Sequence, residues 1–233
     1  MTLRRELDIV ANNIANADTT GFKVESLMVR TEPLAPAMTE GGPRPVKFVL
    51  DRGVARNFGQ GALHQTSATF DLGIEGNGFF KVSTPSGERY TRDGRFRMDD
   101  SGRLTTQDGQ PVLDAGGGEI TVDPEKGVVN IAKDGTVSQG QEIIGKVAVV
   151  KFDDRSSLEK AGDNLYRNTS NQQPQAATEA LVHQGMLESS NVRPIEEITR
   201  MMEVTRTYES VAQMMASATD LSSRSVERLG RVQ

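Results

Sequence analysis

"PIEEITRMMEVTRTYESVAQMMASATDLSSRSVERLG", Pro194 to Gly230, settles more about this chain than any other stretch. Met201, Val204, Tyr208, Val211, Met215, Ala218, Ser222, Val226 and Leu229 recur at steps of three and four that alternate except at Ser222, the polar member. That period belongs to a helix with one narrow apolar seam. Pro194 suits a first helical turn, and Glu196 and Glu197 fall where the helix dipole favours negative charge. A helix from Pro194 to about Arg228 is roughly 50 Å long at about 1.5 Å per residue. Globular helices average about 11–12 residues. A stripe so long and narrow needs a helical partner.

The opposite end of the chain supplies a candidate. In "MTLRRELDIVANN", Leu3, Leu7, Val10 and Ile14 are spaced by four, three and four, with Arg4, Arg5, Glu6 and Asp8 off the seam. The helix then runs into "ANNIANADTTGFK", Ala11 to Lys23. Asparagine competes for backbone groups and is a mediocre helix former, so Asn12, Asn13 and Asn16 mark a helix that is ending. "DTTG" breaks it, and Gly21 permits a sharp turn before Phe22 anchors the outgoing chain. Asn12, Asn13, Asn16, Thr20, Gly21 and Phe22 therefore form a predicted helix-to-arm joint. Its amides are expected to hydrogen-bond the arm's backbone or a neighbouring subunit.

Between the ends the pattern changes to short strands and tight turns. "SG" at Ser86, "DG" at Asp93, "SG" at Ser101 and "DG" at Asp108 recur every seven or eight residues, and another "DG" follows at Asp134. Such spacing predicts hairpins in an all-β unit. Two connecting regions flank it: "TEPLAPAMTEGGPRPVKF", rich in Pro and Gly, and the polar "NTSNQQPQAAT". The expected fold class is α+β, with terminal helices pairing as a coiled-coil-like domain and an inserted all-β domain. The boundaries are an N-terminal helix and joint at 1–26, an extended arm at 27–67 and the all-β domain at 68–167. A returning arm at 168–193 and the long helix at 194–233 complete the chain.

Composition narrows the chemistry. Hydrophobic residues make up 36% and aromatic ones 5%, with 23 glycines and no tryptophan, so a thick core is expected in part of the chain only. The net charge of -5, with Lys and Arg scattered, argues against a nucleic-acid partner. Without cysteine there are no disulfides or thiolate metal sites, and either redox compartment suits the chain. No apolar run approaches a membrane span, so no direct membrane insertion is expected, and the N-terminus lacks the features of a cleaved secretory signal. His64 and His183 lie far apart without a ligand cluster. Gly73, Gly76 and Gly78 precede an aromatic strand instead of the helix that a nucleotide loop requires. Asp93, Asp99, Asp100 and Asp108 sit at turn signals, where aspartate is expected for its backbone hydrogen bonds. A secreted polysaccharide-binding protein or hydrolase, with Asp93 and Asp99 as acid and base, would need both carboxylates on a cleft and a shifted pKa. No catalytic, metal or cofactor residue is assigned, and no cofactor is expected.

Four stretches together resemble one family. They are "ANNIANADTTGFK", "GIEGNGFFKV", "YTRDGRFRMDDSGRLTTQDGQPV" and "GMLESSNVRPIEEITRMMEVTRTYES". They are similar in order and position to the rod and hook proteins of the bacterial flagellum, and the likeness covers nearly the whole chain. "DRGVARNFGQGALHQTS" and "TPSGERYTRDG" look most like a proximal rod protein, with a distal rod or hook-type subunit as the rival. The resemblance implies an elongated, non-enzymatic subunit that stacks helically with copies of itself and with other rod proteins, proximal and distal. Its assembly interface would be Leu3, Leu7, Val10 and Ile14 against Met201, Val204, Tyr208, Val211, Met215 and Leu229. It further implies a place in the basal body, as a periplasm-crossing drive shaft. The chain would be exported unfolded by the flagellar type III apparatus without a cleaved signal. Family members carry further residues before the equivalent of Met1, so the native N-terminus is expected upstream.

Overall fold

The computed structural model describes residues 2–32 and 48–230, which form two helices and many short strands, a mixed α and β architecture. The contacts divide into two compact units. The helical unit comprises Met1–Ala15, Glu25–Ala55 and Arg193–Gln233, and the β unit comprises Asn16–Val24 and Arg56–Val192.

In the helical unit, α1 is Thr2–Ala15 and α2 is Pro194–Gly230. Strands β1, Glu25–Glu32, and β2, Phe48–Arg56, pair as a two-stranded sheet. The predicted arm at 27–67 is thus partly a paired ribbon, and its residues 33–47 lie outside the described residues. No helix among the described residues is long and apolar enough to cross a membrane. At α2, Glu196 and Glu197 occupy the first turn, and the Glu197 amide donates to the Arg193 carbonyl at 3.1 Å.

The β unit is built on a six-stranded antiparallel sheet. Its order is Leu158–Lys160, Leu165–Asn168, Gly87–Thr91, Phe79–Thr84, Val149–Lys151 and Gln175–Ala176. A three-stranded sheet sets Thr136–Gln139 between Glu142–Lys146 and Val129–Ile131. Leu181–Gln184 pairs with Leu72–Glu75, Met186–Glu188 with Leu63–Gln65, and Phe96–Met98 with Leu104–Thr106. Residues 168–193, read from sequence as an extended arm, therefore carry three strands paired into the β unit. These strands have two to four residues each. That is too short for alternation to be read, although Val182 and Leu187 are buried.

Two apolar clusters hold this unit. The larger includes Leu72, Ile74, Phe80, Val82, Phe96, Leu104, Val112 and Val137. The smaller groups Phe58, Phe79, Tyr90, Phe152, Leu158 and Tyr166. Within it Tyr90 meets Phe152 edge-on at 4.8 Å and Phe58 meets Phe79 at 5.4 Å, the arrangement that aromatic quadrupoles favour. The turn signals are used unequally. Ser101–Gly102 and Asp134–Gly135 close hairpins in which the glycine has positive φ. Asp93–Gly94 does not. Gly94 sits where a Cβ would lie 1.7 Å from the Leu72 carbonyl oxygen, so glycine is required there for close backbone passage between sheets.

Candidate assembly site

In the helical unit α1 packs on the first turns of α2. Val10 and Val204 are buried, and Leu3, Leu7, Ile14 and Met201 are partly covered. Ile9, which falls off the predicted seam, is buried as well. The covered face of α1 is therefore wider than an a/d stripe, as expected for a helix on a mixed surface. Arg200 donates Nε and Nη2 to Oε1 of Glu6 at 3.0 and 2.8 Å. This pair is partly exposed, so its contribution is small.

Further along α2 the pattern reverses. Every side chain from 206 to 221 is exposed, including Tyr208 at 50%, Val211 at 38% and Met215 at 67%. Met214 and Leu221 add to this uncovered apolar surface. The side chain of Leu229 lies outside the described residues. The sequence seam is thus covered at its start and open over the rest.

Asn13 is fully buried in the helical unit. Its Nδ2 donates to the Glu25 carbonyl at 2.7 Å and to Oε2 of Glu197 at 2.9 Å, while its Oδ1 accepts from the Glu25 amide at 3.0 Å. One side chain thereby ties α1 to the start of β1 and to the first turn of α2. Asn12 is exposed on α1.

The rest of the predicted joint belongs to the β unit. Thr19 caps the turn, its amide donating to the Asn16 carbonyl at 3.2 Å and its hydroxyl to Asn16 Oδ1 at 3.2 Å. Gly21 has φ of 68°, and a Cβ there would lie 2.4 Å from the Arg92 carbonyl carbon. Thr20 accepts at its carbonyl from Asn164 Nδ2 at 2.7 Å. Phe22 is buried, with Lys160 Nζ 4.4 Å from its ring centroid.

Beside Phe22 lies a charge cluster that sequence reasoning missed. Lys23 Nζ donates to Glu188 Oε1 at 2.5 Å and to the Gly59 carbonyl at 2.7 Å. Arg92 Nη1 donates to Glu188 Oε2 at 2.9 Å, and its Nη2 to the Gly76 carbonyl at 2.6 Å. The Gly61 amide donates to Glu188 Oε1 at 2.8 Å. Burial pushes the Lys23 and Arg92 pKa values down, and the Glu188 carboxylate opposes the shift in both. Asn191 is a second tie: its Oδ1 accepts from the Val24 amide at 2.8 Å, and its Nδ2 donates to the carbonyls of Asn57 and Gly59 at 2.8 and 2.9 Å. Segments 22–24, 57–61 and 188–191 are thus fastened to one another. The sequence carries no signal for this cluster, since the three charges lie far apart along the chain and their burial is set by the fold.

The carboxylates considered for hydrolysis are tied to arginines. Asp93 accepts from Arg95 Nη2 at 2.6 Å and Nε at 3.0 Å. Asp99 accepts from the Arg103 amide at 2.8 Å, from Arg103 Nε at 2.9 Å and from the Ser101 amide at 2.9 Å. Those hydrogen bonds, the Arg103 amide first, hold the Asp99 carboxyl below its usual value. A general acid needs the opposite shift. His183 Nε2 lies 2.7 Å from Glu75 and His64 Nδ1 lies 3.1 Å from Ser189 Oγ, and no metal-binding cluster occurs among the described residues.

Three family models match along the chain: flagella basal body rod protein at residues 1–23, flagellar hook protein FlgE/F/G D1 domain at 73–139, and flagellar basal body rod FlgEFG protein C-terminal at 183–228. The flagellar basal-body rod protein FlgF of Caulobacter vibrioides is 61% identical over 232 residues, covering 100% of this chain and 95% of that protein. This chain belongs to the flagellar basal-body rod protein family. FlgF of Mesorhizobium japonicum is 33% identical over 99% of the chain and 94% of its own length. FlgG of Buchnera aphidicola is 35% identical over 87% of the chain and 86% of its own length. The higher identity to the Caulobacter protein places the chain on the FlgF side of the family, as a structural rod subunit of the flagellar basal body. The matched segments coincide with α1 and the chain after it to Lys23, with the middle of the β unit, and with the last strands and α2.

Proposed function

We propose that this rod subunit self-assembles helically through its two terminal helices, forming part of the periplasm-crossing drive shaft for motility. The observation that carries the reading is the uncovered apolar stripe of α2, with Tyr208, Val211, Met214, Met215 and Leu221 exposed on a helix whose first turns are already paired. Isolated apolar side chains on a surface are ordinary, but a stripe continued over several turns is an association surface. The occupants are helices of further copies and of other rod proteins, packed as in a coiled coil. Export unfolded through the flagellar type III apparatus belongs to the same reading.

Asn13 has a defined part in it: by holding the Glu25 backbone and Glu197 together it fixes the angle at which the chain leaves α1. The test of the assembly reading is Val211→Glu, which sets a charge on the stripe in the helical unit. Expected are loss of motility and of rod completion, with strand amides of the β unit as protected as before. Motile cells with normal filaments would overturn the reading.

A further inference from the structure

The β unit buries two cations against one carboxylate. The side chains of Lys23, Arg92 and Glu188 are at most 3% exposed. With Lys23 set aside, Glu188 keeps Arg92 and the Gly61 amide, a neutral and well-bonded pair. With Glu188 set aside, Arg92 keeps the carbonyls of Ile74 and Gly76, while Lys23 keeps only that of Gly59. Two like charges then face each other in a dry interior, and Arg155 adds to the positive field at both. An uncompensated buried charge is far more costly than a lost neutral hydrogen bond. The surplus charge therefore falls on Lys23, which arrives with the segment 16–24.

We propose that Lys23 makes the seating of residues 16–24 in the β unit conditional on Glu188. The segment docks once Met186–Glu188 has paired with Leu63–Gln65 and presents its carboxylate, and it leaves when that carboxylate is lost. Its other holds do not discriminate. The Gly21 amide meets a backbone carbonyl of residue 188, Thr20 meets Asn164, and Phe22 packs under Lys160 whatever charge residue 188 carries. A methionine in place of Lys23 would fill similar volume and need no counter-charge, so the condition is imposed by the ammonium group. Because the two residues stand 165 apart in sequence, the device couples the start of the β unit to its last strand. Seating and strand closure become one event, a coupling free energy between two docking steps.

The test is a double-mutant cycle on the full chain: native, Lys23→Met, Glu188→Gln and both together. Hydrogen exchange is read at the Gly21 and Val24 amides, which donate to Glu188 O and Asn191 Oδ1, with Phe79–Thr84 amides as the reference for the β unit. Glu188→Gln is expected to speed exchange at Gly21 and Val24 by about a hundredfold relative to the reference strand, the cost of stranding a buried charge. Lys23→Met is expected to leave it unchanged or slower, and the double variant to return towards native. A double variant that exchanges as fast as Glu188→Gln alone overturns the proposal, because then the missing carboxylate and not the stranded ammonium loosens the segment. Faster exchange in Lys23→Met alone also overturns it, and that result is readable even where Glu188→Gln fails to fold.

Discussion

Asn13→Leu removes more from the helical unit than its single side chain suggests. The asparagine makes two hydrogen bonds with the Glu25 backbone and one with the Glu197 carboxylate, all from a position with no solvent exposure. Neutral hydrogen bonds contribute about 1 kcal/mol each and a charged one about 1.5–3 kcal/mol, so the three together are worth about 4 kcal/mol. Leucine fits a similar volume and returns about 1 kcal/mol through apolar burial. The net loss is about 3 kcal/mol, because leucine replaces none of the three hydrogen bonds. Against this, the buried apolar side chains of the helical unit, among the described residues, are Ile9, Val10 and Val204. The loss is comparable to burying one or two of them.

The assay is hydrogen exchange of the Glu25 and α1 amides in the full chain, with the β unit's amides as internal control. Expected is faster exchange by about two orders of magnitude at Glu25 and in α1, from the ~3 kcal/mol loss. Asn13→Asp gives an independent check with a sign. It places a second carboxylate where Nδ2 now stands 2.9 Å from Glu197, which raises the folded-state pKa of the new group. The variant is therefore most stable at low pH and loses stability as pH rises from about 4, the unfolded value, through the raised folded one. A change in α1 exchange of less than about threefold in Asn13→Leu, under 1 kcal/mol, would refute the argument. A pH-independent Asn13→Asp would refute it too.

Two further outcomes follow from the β unit. Gly21→Ala combines a left-handed φ of 68° with a Cβ placed 2.4 Å from the Arg92 backbone. It is expected to cost about 3 kcal/mol or more and to release protection at Phe22 and Val24, and native exchange at those amides would contradict it. Tyr90 is pushed up to about 12 by burial first and by Glu88 second. Ultraviolet titration of the native chain is then expected to show absorbance lagging the ordinary range, with the lagging part smaller by one tyrosine's amplitude in Tyr90→Phe. Because the folded pKa exceeds the unfolded one, this group's contribution to stability is full below about pH 10 and declines as pH rises towards 12.

Helix α2 was legible because its cause is local and repeated. The seam from Met201, the proline start and the acidic first turn predict Pro194 to about Arg228, and the helix spans Pro194–Gly230. The α+β class was legible for the same reason, since period and turn chemistry change abruptly between the ends and the middle. What escaped were features set by contacts distant in sequence. The strands at 175–176, 181–184 and 186–188 are too short to show alternation, and they exist because Val149–Lys151, Leu72–Glu75 and Leu63–Gln65 offer them edges. Gly94 looked like a hairpin residue because "DG" is a turn signal, and the contact that demands glycine there is with Leu72. The Lys23, Arg92 and Glu188 cluster leaves no periodic trace at all. Each residue alone reads as an ordinary surface charge, and only the fold brings the three into one dry site.

The modest hydrophobic content takes on a different meaning once it is divided between the units. Both apolar clusters lie in the β unit, so 36% hydrophobic residues overall suffices for a well-packed core there. Among the described residues the helical unit buries Ile9, Val10 and Val204 and leaves larger side chains in solvent from Tyr208 to Leu221. Among the described residues α1 packs on the first turns of α2 alone, and the side chains from 206 to 221 stay exposed. The deficit has a physical direction: each of Tyr208, Val211, Met214, Met215 and Leu221 gains about 1–3 kcal/mol when a neighbouring helix covers it. The same stripe that leaves the isolated helical unit weakly held is what drives its association, so subunit order and assembly are expected to rise together with protein concentration.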